Sequence, residues 1–260
     1  AALAGLIKWT GFSFLALVLI FYILENYKSF KYNPRGFRLK FFSKGILWLI
    51  VAPLLIYFSI FAVHLFLLDK PGPGLAFHPP NFQKMNLFSK FIELNTEIYE
   101  SNARLTATHP YTSQWYKWPF MTRSVFYWVE GGARIYFLGN PLIYWLSTIA
   151  VIYFLINVFK KFKSFSSSHS LLVFGYLLNL LPFIFIGRVM FLYHYLTALV
   201  FAILILCHQL NQLPEKNKKL VFNSVLVGSI VLFIFFSPLS YGFQIPDWYY
   251  KYTIWLPTWR

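Results

Sequence analysis

NPLIYWLSTIAVIYFLINVF, Asn140 to Phe159, decides the fold class. It carries no charged side chain and is as long as the ~20 apolar residues a helix needs to cross a bilayer. Hydrocarbon offers no partner to an unpaired N–H or C=O, so such a run must be helical along its length. Lys160, Lys161 and Lys163 follow at once, so the span ends in a basic cluster.

Working outward, five more runs read the same way: Ala1 to Leu24, Gly45 to Leu68, His169 to Ile186, Arg188 to His208 and Leu220 to Pro238. With 58% hydrophobic and 12% charged residues, the expected fold is an all-α integral membrane protein with about six transmembrane helices. The net charge of +15 does not point to nucleic acid, because the bases sit in short connectors between spans. One connector carries Lys28, Lys31, Arg35, Arg38, Lys40 and Lys44, and another carries Lys216, Lys218 and Lys219. The positive-inside rule puts these connectors and the cluster at Lys160 in the cytoplasm. The loop from Asp69 to Tyr136, the turn at Gly187-Arg188 and the tail after Ser240 then face outside, where Glu93, Glu97, Glu100, Glu130 and Asp247 also lie. Cys207 stands alone in an apolar run, so no intrachain disulfide forms.

Four regions follow: residues 1–68, two spans with a basic connector; 69–136, an outer loop; 137–240, four spans; and 241–260, an aromatic tail. Within the outer loop, Asn86 to Arg104 has Leu87, Phe88, Phe91, Leu94, Ile98 and Tyr99 near helical spacing, opposed by Lys90, Glu93, Glu97 and Glu100. This predicts an amphipathic helix, lying in the interface or packed on the spans. The breakers Lys70-Pro-Gly-Pro-Gly and His78-Pro-Pro precede it. The chain opens on Ala and enters an apolar span with no signal peptide, which reads as the C-terminal part of a longer protein.

The loop ends in HPYTSQWYKWPFMTR, His109 to Arg123, where rings, prolines and cations crowd together. A site for a sugar and a lipid-linked phosphate needs stacking surfaces and cations in one place; an aromatic belt anchoring the loop at the interface is the other reading. No metal-ligand spacing and no glycine-rich phosphate loop occurs in the sequence.

That loop, followed by FLGNPLIYW (Phe137 to Trp145), GYLLNLLPF (Gly175 to Phe183) and GRVMFLYHYL (Gly187 to Leu196), resembles the C-terminal half of protein O-mannosyltransferases, the bacterial-type members above all. KWTG at Lys8 to Gly11 resembles the family's middle span. The resemblance implies part of a GT-C type glycosyltransferase in the bacterial inner membrane. Such an enzyme transfers mannose from polyprenyl-phosphate mannose to Ser or Thr hydroxyls of secreted polypeptides, with inversion. It implies no cofactor beyond the lipid-linked donor, and as partners membrane lipid, the acceptor and the missing N-terminal half. Its catalytic base is an Asp-Glu pair near the family's N-terminus. This chain has no adjacent Asp-Glu pair, and Glu93, Glu97 and Glu100 are spaced as a solvated helix face. A different lipid-linked sugar transferase acting on a glycolipid or lipid A, or a non-enzymatic scaffold or transporter, would share the multi-span plan.

The candidate substrate-binding residues are Arg188, His194, Tyr195, His109, Tyr111, Trp115, Trp118, Arg123 and Lys8. Arg188, at the outer end of a span, either grips phosphate bidentately or snorkels. His194 and Tyr195 follow it in the same span as ligand contacts, with a neutral interhelical hydrogen-bonder as the other reading of His194. Lys8 lies within the first span, where an ammonium snorkels or meets an anion. Trp9, Trp48, Trp128 and Trp145 read as belt or packing residues, and Trp248, Trp255 and Trp259 as an interfacial tail.

The topology is testable. In a Cys207→Ser background, an impermeant thiol reagent added outside is expected to label a cysteine at Ser101 but not one at Ser166; the reverse pattern overturns the orientation.

Overall fold

The computed structural model describes residues 2–32, 35–36, 44–68, 70, 72–160 and 167–260. Arg38, Lys40, Asp69, Lys161 and Lys163 of the charge argument lie outside the described residues. The chain forms two compact units, Ala1–Thr106 and Ala107–Arg260.

In the first unit the expected span from Ala1 to Leu24 is interrupted. Helix α1, Ala2–Ile7, stops at Lys8, whose backbone is extended (φ −158°). A short 3-10 turn, Trp9–Gly11, reverses the chain before α2, Phe12–Tyr32. Gly11 makes this possible, since a Cβ there would lie 2.3 Å from the backbone of Ala4. An apolar pattern cannot distinguish one span from a short helix folded against the next, because both bury the same residue types.

A second span, Leu47–Leu67, opens as a π-helical turn, Leu47–Val51, and continues as α3, Ala52–Leu67. The amphipathic helix is present as α4, Leu87–Ala103, and the side-chain oxygen of its N-cap Asn86 accepts a 2.9 Å bond from Ser89 N–H. Its apolar face lies against α3, where Phe91 meets Tyr57, Phe58 and Phe61 at ring separations of 5.9, 5.0 and 5.8 Å. Trp9 Nε1 donates to Tyr57 OH at 3.0 Å, and Tyr57 OH donates to Asn95 Oδ1 at 2.6 Å. α4 thus packs against a span while Phe88 and Tyr99 stay exposed.

The second unit begins with the loop and then a hairpin that the helical periodicities did not announce: β1, Val125–Glu130, antiparallel to β2, Ala133–Phe137. Gly131 and Gly132 take φ of 53° and 86° at its tip, which glycine adopts without steric cost. Four membrane-length helices follow. α5 is Pro141–Lys160; α6, Ser167–Leu180, runs on as a 3-10 turn to Phe185; α7 is Leu196–Asn211; and α8 is Glu215–Tyr241. A short α9, Asp247–Thr253, closes the tail.

α7 is the centre of this bundle, packing on both α5 and α6 with Ala198, Ala202 and Ile205 fully buried. The expected span from Arg188 to His208 starts later than the sequence indicated. Residues 186–191 are non-helical, and a 3-10 turn, Leu192–Tyr195, leads into α7. Across the whole chain five helices are long and apolar enough to cross a membrane among the described residues, with Trp9–Leu24 a shorter apolar segment.

Gly175 marks the closest approach of α6 to α7, since a Cβ there would fall 2.2 Å from the ring of Phe201. Gly175→Val is expected to cost about 1–3 kcal/mol by overpacking. The measurement is a lowered melting temperature in detergent, with partial recovery in Gly175→Val/Phe201→Ala; two independent, additive losses would show that the helices do not meet there.

Candidate functional site

The loop His109–Arg123 lies in the second unit, and three neighbours fix its backbone. From α5, Thr148 Oγ1 donates to Pro119 O at 2.6 Å and Trp145 Nε1 to Phe120 O at 2.9 Å. From the tail, Trp259 Nε1 donates to Met121 O at 2.8 Å, Ser124 Oγ donates back to Trp259 O at 3.1 Å, and Thr258 bonds Thr122. From the segment before α7, Met190 O accepts Ser113 N–H at 2.9 Å and Thr112 Oγ1 at 3.0 Å. Arg123 folds the loop on itself through a bond to Pro110 O.

These bonds explain two local anomalies. Met121 is a fully buried non-glycine residue at φ 51°, a left-handed conformation costing on the order of 1 kcal/mol. It aims the Met121 carbonyl at the Trp259 indole. Residues 186–191 stay non-helical because Thr112 and Ser113 hold the backbone of Met190, which a helix would have turned inward.

Trp118, offered above as a stacking surface for a ligand, is fully buried. Its Nε1 donates to Ser113 O (3.1 Å) and to Ser113 Oγ (3.0 Å). Its ring stacks on His194, with 5.7 Å between centroids and 13° between planes, and meets Phe183 edge-on at 4.9 Å. His194 lies between Trp118 and Tyr193, is 7% exposed, and engages the backbone of Phe191 through Nδ1. Tyr195 is also fully buried, its hydroxyl 3.3 Å from that of Tyr176 and its ring near Tyr144. Trp118 and Tyr195 therefore present no surface to a ligand. Trp118 and His194 form the wedge that joins the loop to the start of α7, and Tyr195 ties that start to α5 and α6. Burial of this kind depends on partners far apart in sequence, so a ring count could not separate wedge from platform.

Trp259 corrects the tail in the same way: it is 1% exposed, a core residue rather than an interfacial anchor. It forms an indole cluster with Trp145 and Trp255.

The remaining candidates of this unit stay accessible. His109 is exposed, Tyr111, Trp115 and Arg123 are half-buried, and so is Arg188. Arg188 makes no ion pair among the described residues. His109 meets Phe191 edge-on at 5.0 Å, which ties the loop to the segment carrying Arg188. Lys8 belongs to the other unit, where it precedes the Trp9–Gly11 turn.

Among the described residues of this unit no carboxylate stands beside the loop as a ready base. Glu215 pairs with Lys218 at the start of α8, Asp247 pairs with Arg134, and Glu130 is exposed beside the hairpin tip. Tyr136 and Tyr127 do not fill the role: burial and then the bond to Tyr250 raise the pKa of Tyr136, and burial raises that of Tyr127. Among the described residues no group of three or more His, Cys, Asp or Glu could hold a metal ion. Among the described residues of this unit the arrangement offers a cationic and aromatic surface with no carboxylate beside it.

Residues 87–259 match the family described as the C-terminal four TMM region of protein-O-mannosyltransferase. The chain is 29% identical over 201 residues to dolichyl-phosphate-mannose–protein mannosyltransferase 5 of Saccharomyces cerevisiae, covering 69% of this chain and 27% of the relative. It is 32% identical over 189 residues to mannosyltransferase 1 of Candida albicans, covering 62% and 21%. Among solved structures, the S. cerevisiae protein O-mannosyltransferase Pmt1-Pmt2 complex bound to the sugar donor aligns with a TM-score of 0.62 at 28% identity, over 68% of this chain and 27% of that one. The chain thus spans about a quarter of the length of these relatives.

If the tail pins the loop, Trp259→Ala is expected to cost about 3 kcal/mol locally and to speed tryptic cleavage after Arg123 by about 10²-fold. Trp259→Phe, which keeps the ring and loses the bond to Met121, is expected to speed it about fivefold. Equal cleavage of all three proteins would mean that the loop is held elsewhere.

Proposed function

Because the chain belongs to the protein O-mannosyltransferase family, its matched region being the four C-terminal spans, we propose that it forms part of an enzyme transferring mannose from polyprenyl-phosphate mannose to Ser or Thr hydroxyls of exported polypeptides, with inversion at the anomeric carbon. The observation that carries the assignment of roles is the docking of Thr112 and Ser113 onto Met190. It joins the aromatic loop to the strip bearing Arg188, a half-buried guanidinium with no ion-pair partner among the described residues.

In this scheme the acceptor hydroxyl attacks the anomeric carbon as the bond to the phosphate oxygen breaks, and negative charge grows on the departing polyprenyl phosphate. Arg188 stabilises that charge through its planar fork. His109, Tyr111, Trp115 and Arg123 line the approach of sugar and acceptor. Trp118, His194 and Tyr195 position Arg188 and the loop from behind without touching substrate. The base that takes the hydroxyl proton lies in the part of the relatives' length that this chain does not span, and no metal or organic cofactor is invoked. The charge bias of the connectors supports an integral membrane protein with loop and tail extracytoplasmic, and the bacterial cell membrane is proposed on the motif resemblance alone. A protein acceptor is preferred to a glycolipid because the relatives carry the name of protein mannosyltransferases.

The test uses the natural polypeptide carrying this sequence, with polyprenyl-phosphate mannose and a Ser/Thr peptide. Arg188→Ala is expected to lower turnover by on the order of 10²-fold with a smaller change in donor affinity, because the contact strengthens in the transition state. Arg188→Lys restores part of the loss, since a point charge does not reproduce the fork. Arg123→Ala, releasing Pro110, is expected to raise KM more than it lowers kcat. A folded and fully active Arg188→Ala enzyme would reduce that arginine to an interfacial anchor.

A further inference from the structure

The second unit carries another cationic feature that the transfer scheme leaves unused. A cavity of about 410 Å³ opens between the hairpin and α9, lined by Arg134, Asp247, Tyr250, Lys251, Ile254 and Arg260. The lining thus holds three cationic residues and one acidic side chain. Arg134 is held in place, its guanidinium 4.1 Å from the Tyr250 ring centroid and Nη2 3.3 Å from Asp247 Oδ1. Asp247 is 84% exposed, so this pair is weak and readily exchanged for another carboxylate. Lys251 and Arg260 make no ion pair among the described residues. A concave site with this lining concentrates anions.

The cavity is joined to the loop by rings. Tyr250 shares a 2.8 Å hydroxyl contact with Tyr136. Tyr136 meets Phe126 at 5.2 Å, Phe126 meets Tyr111 at 5.7 Å, and Tyr111 meets His109 at 5.8 Å. His109 touches Phe191, three residues beyond Arg188. An unbroken chain of ring contacts, passing through the buried Tyr136, therefore links the loop to the wall of the cationic cavity.

We propose that this cavity is an acceptor subsite that takes an Asp or Glu side chain of the polypeptide, a short distance along the chain from the hydroxyl that receives the sugar. The proposal rests on the transferase reading given above. A phospholipid headgroup is the competing anion, and the geometry of α9 disfavours it. Trp248 and Tyr252, four residues apart on one face, are 61% and 68% exposed, as interfacial anchors are. Tyr250 falls on the opposite face, with Asp247 and Lys251 on one flank between the two, so a helix seated in the interface by its aromatic side turns the Arg134–Tyr250 wall of the cavity away from lipid.

The experiment uses the natural polypeptide in nanodiscs of neutral phospholipid, with three Ser/Thr peptides that differ only in carrying Asp, Asn or Lys beside the acceptor residues. The Asp peptide is expected to show a KM about fivefold below that of the Asn peptide, with kcat unchanged and the difference shrinking as salt rises. Lys251→Gln should reduce this preference, and Lys251→Glu should invert it towards the Lys peptide. Equal KM values for the three peptides, or a preference that survives both substitutions, overturns the subsite. A requirement for phosphatidylglycerol that Lys251→Glu abolishes, with peptide preference unmoved, also overturns it and gives the cavity to a lipid headgroup. If no peptide is mannosylated the transferase reading fails by itself. Fluorescence anisotropy of the same peptides then decides the subsite, by whether the Asp peptide is favoured and whether Lys251→Glu removes that favour.

Discussion

Irregular backbone survives against a membrane bundle only where every N–H and C=O finds a partner, and the second unit is organised around meeting that demand for residues 109–124. The loop receives side-chain donors from α5, from the tail and from its own Trp118, whose indole N–H bonds Ser113, while Met190 accepts from Thr112 and Ser113. All of these bonds except that between Trp118 and Ser113 join segments distant in sequence. Removing the tail or the Met190 strip would leave polar groups unpaired beside apolar helices, at about 1–3 kcal/mol apiece. The left-handed Met121 and the late start of α7 are consequences of the same requirement.

That requirement also decides which aromatic residues are free for chemistry. An indole drawn inward by its N–H, as at Trp118 and Trp259, brings its whole ring into the core and leaves no face for a sugar. Rings whose polar atoms have no such internal call on them, as at Tyr111 and Trp115, stay half-buried at the surface. Arg188 occupies the strip that the loop immobilises, so its position is set by backbone pairing at Met190 rather than by a helix. The pinned backbone at Met190 restricts the strip that carries Arg188, which suits the electrostatic role proposed for that arginine.

The first unit follows a different logic. Tyr57 bridges Trp9 and Asn95, so one phenol in α3 orients both the turn after α1 and the amphipathic helix α4. Its apolar partners Phe58, Phe61 and Phe91 supply the area, and the hydroxyl supplies the register.

The sequence by itself determined the membrane class, the basic connectors, the run of α4 and the family, because these rest on local length, charge and spacing. Apolar runs of about 20 residues have one stable solution in lipid, and four ordered motif blocks identify a family without any knowledge of contacts. Only the tertiary structure decided that the first apolar run breaks at Lys8 to Gly11, that a hairpin follows the loop, and that Trp118, Tyr195 and Trp259 are buried while Arg188 and Arg123 are not. It alone brought Arg134, Lys251 and Arg260 to one cavity. Burial and convergence are set by partners scores of residues away, such as Trp259 on Met121 and Thr112 on Met190. Residue type and spacing record only what a side chain can bond; which partner reaches it is fixed when the helices pack.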